Sequence, residues 1–103
     1  MTTKELTDYI ISVLPWVTLR RNNTGRRGKY LYGIRNWPDL IGYDGSGRFW
    51  AIEIKNKDTG DKIRGRQDEE MAAMRIFGCV VFVVRCKEDA DELSQMQWAN
   101  LGT

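Results

Sequence analysis

The chain has 103 residues, 42% of them hydrophobic, the usual size of one compact domain (1–103) that buries its own core. No apolar run reaches the roughly 18 residues of a membrane span, and the N-terminus is polar with no signal-peptide core. A soluble cytoplasmic protein with no membrane partner is therefore expected. Histidine is absent. That excludes His-ligated zinc sites and catalytic pairs built on imidazole, leaving hydrolytic chemistry to carboxylates, lysine and a hard cation.

The first expected element is a helix. Leu6, Tyr9, Ile10, Val13 and Leu14 follow the spacing of one apolar face, Thr2 and Glu5 match the Thr-x-x-Glu capping box, and Pro15 stops the run. Val17 to Arg21 and Lys29 to Arg35 read as two strands around the turn-forming Asn22-Asn23-Thr24-Gly25. This segment is unevenly charged although the net charge is only +2: Arg20, Arg21, Arg26, Arg27, Lys29 and Arg35 occur with no intervening acidic residue. Together with the amides of Asn22 and Asn23, these cations suit a phosphate backbone, so nucleic acid is the expected partner. A solvated basic hairpin accounts for the same residues.

Asp39 to Tyr43 and Arg48 to Lys55 form the clearest pair, two β-rich segments around Asp44-Gly45-Ser46-Gly47. A polar loop from Lys57 to Lys62 leads into a helix over Ile63 to Phe77, with Gly78 placed as a left-handed cap. Cys79 to Val84 is a continuous apolar run and is expected as a central strand. Cys79 and Cys86 lie too far apart along it for a disulfide. A last helix begins at the acidic residues Glu88 to Glu92 and continues through Leu93, Met96 and Gln97. The expected fold is α/β: a mixed central sheet of four to five strands flanked by helices, in the order αβββαβα.

The candidate chemistry lies in the second hairpin. Along its second strand Trp50, Ile52 and Ile54 face one way, while Ala51, Glu53 and Lys55 face the other, so one face is expected to be apolar and one charged. If Tyr43 pairs with Phe49 across a five-residue loop, Asp39 lies opposite Glu53 on the same face. Two opposed carboxylates repel unless a cation sits between them, and carboxylate oxygens suit Mg²⁺ or Mn²⁺. Lys55 is placed to offset charge on a phosphate or to orient a hydroxide. Glu-x-Lys is also a common solubilising pattern on exposed strands; the joint pattern of Pro38-Asp39, a glycine turn and Glu53-Ile54-Lys55 in register is what favours a site. Gln67 leads a helical face with Met71 and Met74 that is expected to pack towards the sheet. Trp16, Trp37, Trp50 and Trp98 read as core or interface residues, with Trp37 beside Asp39 the one candidate for base contact.

Pro38-Asp39 and Glu53-Ile54-Lys55 resemble the PD-(D/E)xK nucleases. Taken with Arg21-Asn22-Asn23-Thr24-Gly25, Pro38-Asp39-Leu40-Ile41-Gly42, Gln67 and Gly78, the chain resembles the short stand-alone members of the VRR-NUC branch over nearly its whole length. The resemblance implies a restriction-endonuclease-like core and a Mg²⁺-dependent phosphodiesterase. In it Asp39, Glu53 and the Ile54 carbonyl hold the metal, Lys55 assists catalysis and Gln67 completes the site. It further implies a homodimer acting on branched DNA, and a phage origin with work in the host cytoplasm. Trp37 replaces the glycine frequent before Pro-Asp, and Arg64-Gly65-Arg66 precedes Gln67, both departures that bear on substrate geometry. The competing reading is a nucleic-acid-binding module without catalysis.

Overall fold

The computed structural model describes residues 1–60, 62 and 65–96, apart from the side chain of residue 32. The expected positions Ile63, Arg64, Gln97 and Trp98 lie outside the described residues. Helix α1 (Thr3–Val13) starts at a complete capping box: the Thr2 hydroxyl accepts from the Glu5 N–H, and Glu5 accepts from the Thr2 N–H at 2.9 Å. Glu5 is thus spent on the helix start. Strands β1 (Val17–Arg21), β4 (Leu40–Asp44), β5 (Phe49–Ile54) and β6 (Val80–Val84) form one mixed sheet in the order β1-β4-β5-β6. The first two pairings are antiparallel and β5 pairs parallel with β6. The chain is α/β; among the described residues three α-helices lie about this sheet and a small two-stranded sheet lies beside it.

Two expectations about pairing change. Val17–Arg21 does not pair with the basic segment that follows. It runs against β4 instead, with Val17 opposite Asp44 and Arg21 opposite Leu40. The local turn at Asn22 to Gly25 loses to this longer-range pairing because Val17, Leu19 and Leu40 become buried there. The hairpin within the basic segment is smaller, β2 (Gly25–Arg27) against β3 (Tyr30–Tyr32), and turns at Gly28, whose φ of 61° suits a residue without Cβ. The other change concerns β6, which ends the row of strands rather than lying inside it. Its apolar run reflects helices over both faces, not a lateral position in the sheet.

Leu6, Ile10, Trp50, Ile52, Ile54, Ala90 and Leu93 pack one face of the sheet beneath α1 and α3 (Lys87–Gln95). Ala51, Met71, Met74 and Val81 pack the other beneath α2 (Gly65–Ile76). Strand β5 is consequently buried on both sides, and the expected charged, open face is covered. Gly78, with φ of 86°, ends the α2 turn as expected. Because β5 and β6 are parallel, α2 must return antiparallel to them, which sets its first turn over the carboxyl end of β5.

Candidate functional site

The β4–β5 register is the expected one, with Tyr43 opposite Phe49 and Leu40 opposite Ile52. Asp44 fixes it. Its Oδ1 accepts from the Ser46 N–H at 2.8 Å and the Arg48 N–H at 3.2 Å, and its Oδ2 accepts from the buried Trp50 Nε1 at 2.8 Å. Burial pushes the Asp44 carboxyl up, but these hydrogen bonds outweigh it and hold the group well below the usual carboxylate range. Sequence reasoning used Asp44 only as a turn former; its spacing of six residues from Trp50 was the signal for a capped hairpin.

Asp39, the residue before β4, neighbours Glu53 closely enough to act on its carboxyl, where the Leu40–Ile52 register continued by one step would place it. Pro38 has no N–H with which to carry the ladder on. The Asp39 carboxylate stands in for a backbone carbonyl instead: its Oδ2 accepts the Ile54 N–H at 2.9 Å. The N–H and C=O of one strand residue point to the same side, so the Ile54 carbonyl is turned towards the Asp39 edge. Lys55, next along, turns its N–H the other way, to the Val84 carbonyl at 3.0 Å.

Glu53 is the least ordinary residue in the fold. It is 0% exposed, and neither carboxylate oxygen meets a hydrogen-bond donor among the described residues. Burial, then the neighbouring Asp39 carboxylate, pushes its carboxyl up to about 8, against the weaker opposing pull of the Lys55 ammonium. A fully buried carboxyl without donors is costly to a fold and rare in one. The two oxygens, with Asp39 and the Ile54 carbonyl beside them, suit a divalent cation that keeps several waters. Among the described residues no cluster of three or more acidic or cysteine side chains assembles. A cation placed here would meet two carboxylates and a backbone carbonyl, an oxygen set whose chemistry suits Mg²⁺ or Mn²⁺ better than zinc.

Gln67 is half-buried in the first turn of α2, on the Met71 face of the helix and at the β5 end that carries Glu53. Asn22, expected to face nucleic acid, is turned inward. Its N–H donates to the Asp39 carbonyl at 2.7 Å, its Nδ2 to the Ile34 carbonyl at 2.8 Å, and its Oδ1 accepts the Ile34 N–H at 2.9 Å. It braces the segment that delivers Asp39, a role its sequence context did not reveal. Asn23 and Arg21 line a cleft with Asp39, Ile54 and Lys55. Arg20 and Arg21 belong to β1, whereas Arg26, Arg27, Lys29 and Arg35 lie in and after the small hairpin, exposed to solvent. The basic residues are thus divided over two places. Trp37 packs edge-on against Phe49, ring centroids 5.9 Å apart, as a core aromatic.

Cys79 and Cys86 are free thiols, and no helix of the described residues is long and apolar enough to cross a membrane. No family model matches the chain, and no match was found among curated proteins or solved structures.

Proposed function

We propose that the protein is a Mg²⁺-dependent endonuclease that hydrolyses DNA phosphodiester bonds, with branched DNA as its substrate and Mn²⁺ able to substitute. The observation that carries this reading is Glu53, a buried carboxylate whose oxygens lack donors among the described residues, set across from Asp39. Asp39, Glu53 and the Ile54 carbonyl would hold the ion. A bound Mg²⁺ supplies Lewis-acid polarisation of a phosphate oxygen and lowers the pKa of a coordinated water. The chain's own groups do the rest. Asp39 is oriented by the Ile54 N–H and by the Asn22 brace. The Lys55 ammonium offsets charge as it builds on the phosphate, and Gln67 at the head of α2 orients polar groups above it. The N-terminal end of α2 adds a positive field on the same side.

The resemblance to the VRR-NUC nucleases agrees with this assignment. So does the exposed basic segment, which would follow the strand away from the cut. Two copies, cutting two strands, fit a homodimer, and the free thiols fit work in the cytoplasm. A binding module without catalysis would use the same cations but has no use for a donor-less buried carboxylate. The test is incubation with branched, flapped and linear duplex DNA in Mg²⁺ or Mn²⁺. Cleavage should fall by about 10² or more in Asp39→Ala and Lys55→Ala while DNA binding persists. Binding without cleavage in every metal, with all substrates, would assign the binding module instead.

A further inference from the structure

The cleft beside Asp39 and Lys55 holds about 340 Å³, and its cationic wall includes two residues, Lys4 and Arg21, that the two-carboxylate centre does not use. Lys4 of α1, Arg21 of β1 and Lys55 at the end of β5 reach it from three separate elements. Asp8, one turn after Lys4, ties two of them together: it accepts from Lys4 Nζ at 2.9 Å, and its other oxygen takes the Arg21 guanidinium. Asp8 stays ionised there, its carboxyl lowered first by the Lys4 hydrogen bond. Side chains as long as Lys4 and Arg21 lose considerable rotamer freedom when fixed, and an exposed ion pair alone returns little. Their convergence at a cleft mouth points to a ligand with several acceptor oxygens. Three cations face two carboxylates, Asp8 and Asp39, so the mouth keeps a net positive field.

We propose that this cleft seats the phosphate next to the scissile one on the same strand, with Lys4 and Arg21 as its ligands and Asp8 as the residue that positions them. The inference rests on the nuclease reading for its place in the reaction, since the cleft shares Asp39 and Lys55 with the candidate centre. It gives the enzyme a grip on the backbone at the cut itself, separate from the exposed hairpin. A paired guanidinium and ammonium suit a phosphodiester better than a base edge, because both donors read charge and not sequence.

Two arms test it on the full chain. In the first, inorganic phosphate is titrated into metal-free, isotope-labelled protein at constant ionic strength. Amide shifts should concentrate at Thr3, Lys4, Asn23 and Lys55. Lys4→Ala should weaken binding about tenfold and Lys4→Arg restore most of it. In the second, Lys4→Ala and Arg21→Ala are assayed for DNA cleavage in Mg²⁺, where the loss should fall on KM more than on kcat. Lys4 and Arg21 are both exposed, so neither variant threatens the fold. Phosphate shifts scattered away from the cleft, or undiminished in Lys4→Ala, would overturn the subsite even if cleavage is robust. Absence of cleavage in any metal would overturn the nuclease reading while the first arm still decides the subsite.

Discussion

Glu53 ties stability to pH in a direction opposite to that of most acidic residues. Its folded carboxyl holds its proton up to about 8, whereas the unfolded one releases it near 4.5. Between those values the unfolded state binds fewer protons than the folded state, so stability must fall as pH rises and level off above about 8. Urea unfolding in EDTA at pH 5, 6.5 and 8 should show this decline. In Glu53→Gln the amide can donate to Asp39 and carries no titrating group. The decline should flatten, and the variant should exceed the parent in stability at pH 8. A cation needs the ionised carboxylate, so Ca²⁺ should raise the Tm more at pH 8 than at pH 6 in the parent, and at neither pH in Glu53→Gln. Equal pH slopes for parent and variant would remove Glu53 from the account.

The segment between β3 and β4 has no regular structure, and what holds it is Asn22. Three of its hydrogen bonds, to Asp39 and Ile34, join the end of β1 to the stretch that presents the carboxylate. Asn22→Ala should cost about 0.5–1.5 kcal/mol in urea unfolding, since it removes the side-chain hydrogen bonds to the exposed Ile34 backbone and to the part-buried Pro38 carbonyl. It should also lower cleavage by displacing Asp39, while leaving the hairpin cations in place. This brace and the site differ in how far the sequence announces them. The register that sets Asp39 across from Glu53 was readable because a short glycine turn fixes the count of residues and alternation fixes the face. The partner of β1 was not, because nothing local distinguishes a strand that turns back at once from one that pairs with a segment much further along the chain. One residue did hold a clue. Gly42 lies where a Cβ would come within 1.6 Å of the Thr18 carbonyl, and a glycine inside an otherwise apolar strand signals such a close approach. The burial of Glu53 was equally hidden, since alternation shows that a face is shared but not that a helix will cover it.

The division of the cations sets what can be expected of DNA affinity. Arg21 is engaged near the cleft, while Arg26, Arg27 and Lys29 project from a two-stranded hairpin outside both core clusters. Such a hairpin is marginal alone. It is moored by Asn22 on Ile34 and by Gly33, whose missing Cβ would lie 2.2 Å from the Asn23 carbonyl. Its exposed Tyr30 and Leu31 add no burial of their own. Replacing Arg26, Arg27 and Lys29 together by alanine should therefore change folding stability by no more than about 0.5 kcal/mol. The effect should appear in binding. Every phosphate left without its cation keeps about one counterion condensed on the DNA, so the slope of log affinity against log salt should become shallower by about 2 to 3. The Ca²⁺-dependent gain in Tm should be untouched, because the proposed ion site draws on β5 and the residue that leads into β4. A triple variant with the parent's salt slope would mean that DNA lies along the α1–β1 edge and that the hairpin is merely solvated. A variant that also lost the metal response would instead tie the hairpin to the placement of Asp39, through the same Asn22 and Gly33 moorings that hold it to the sheet.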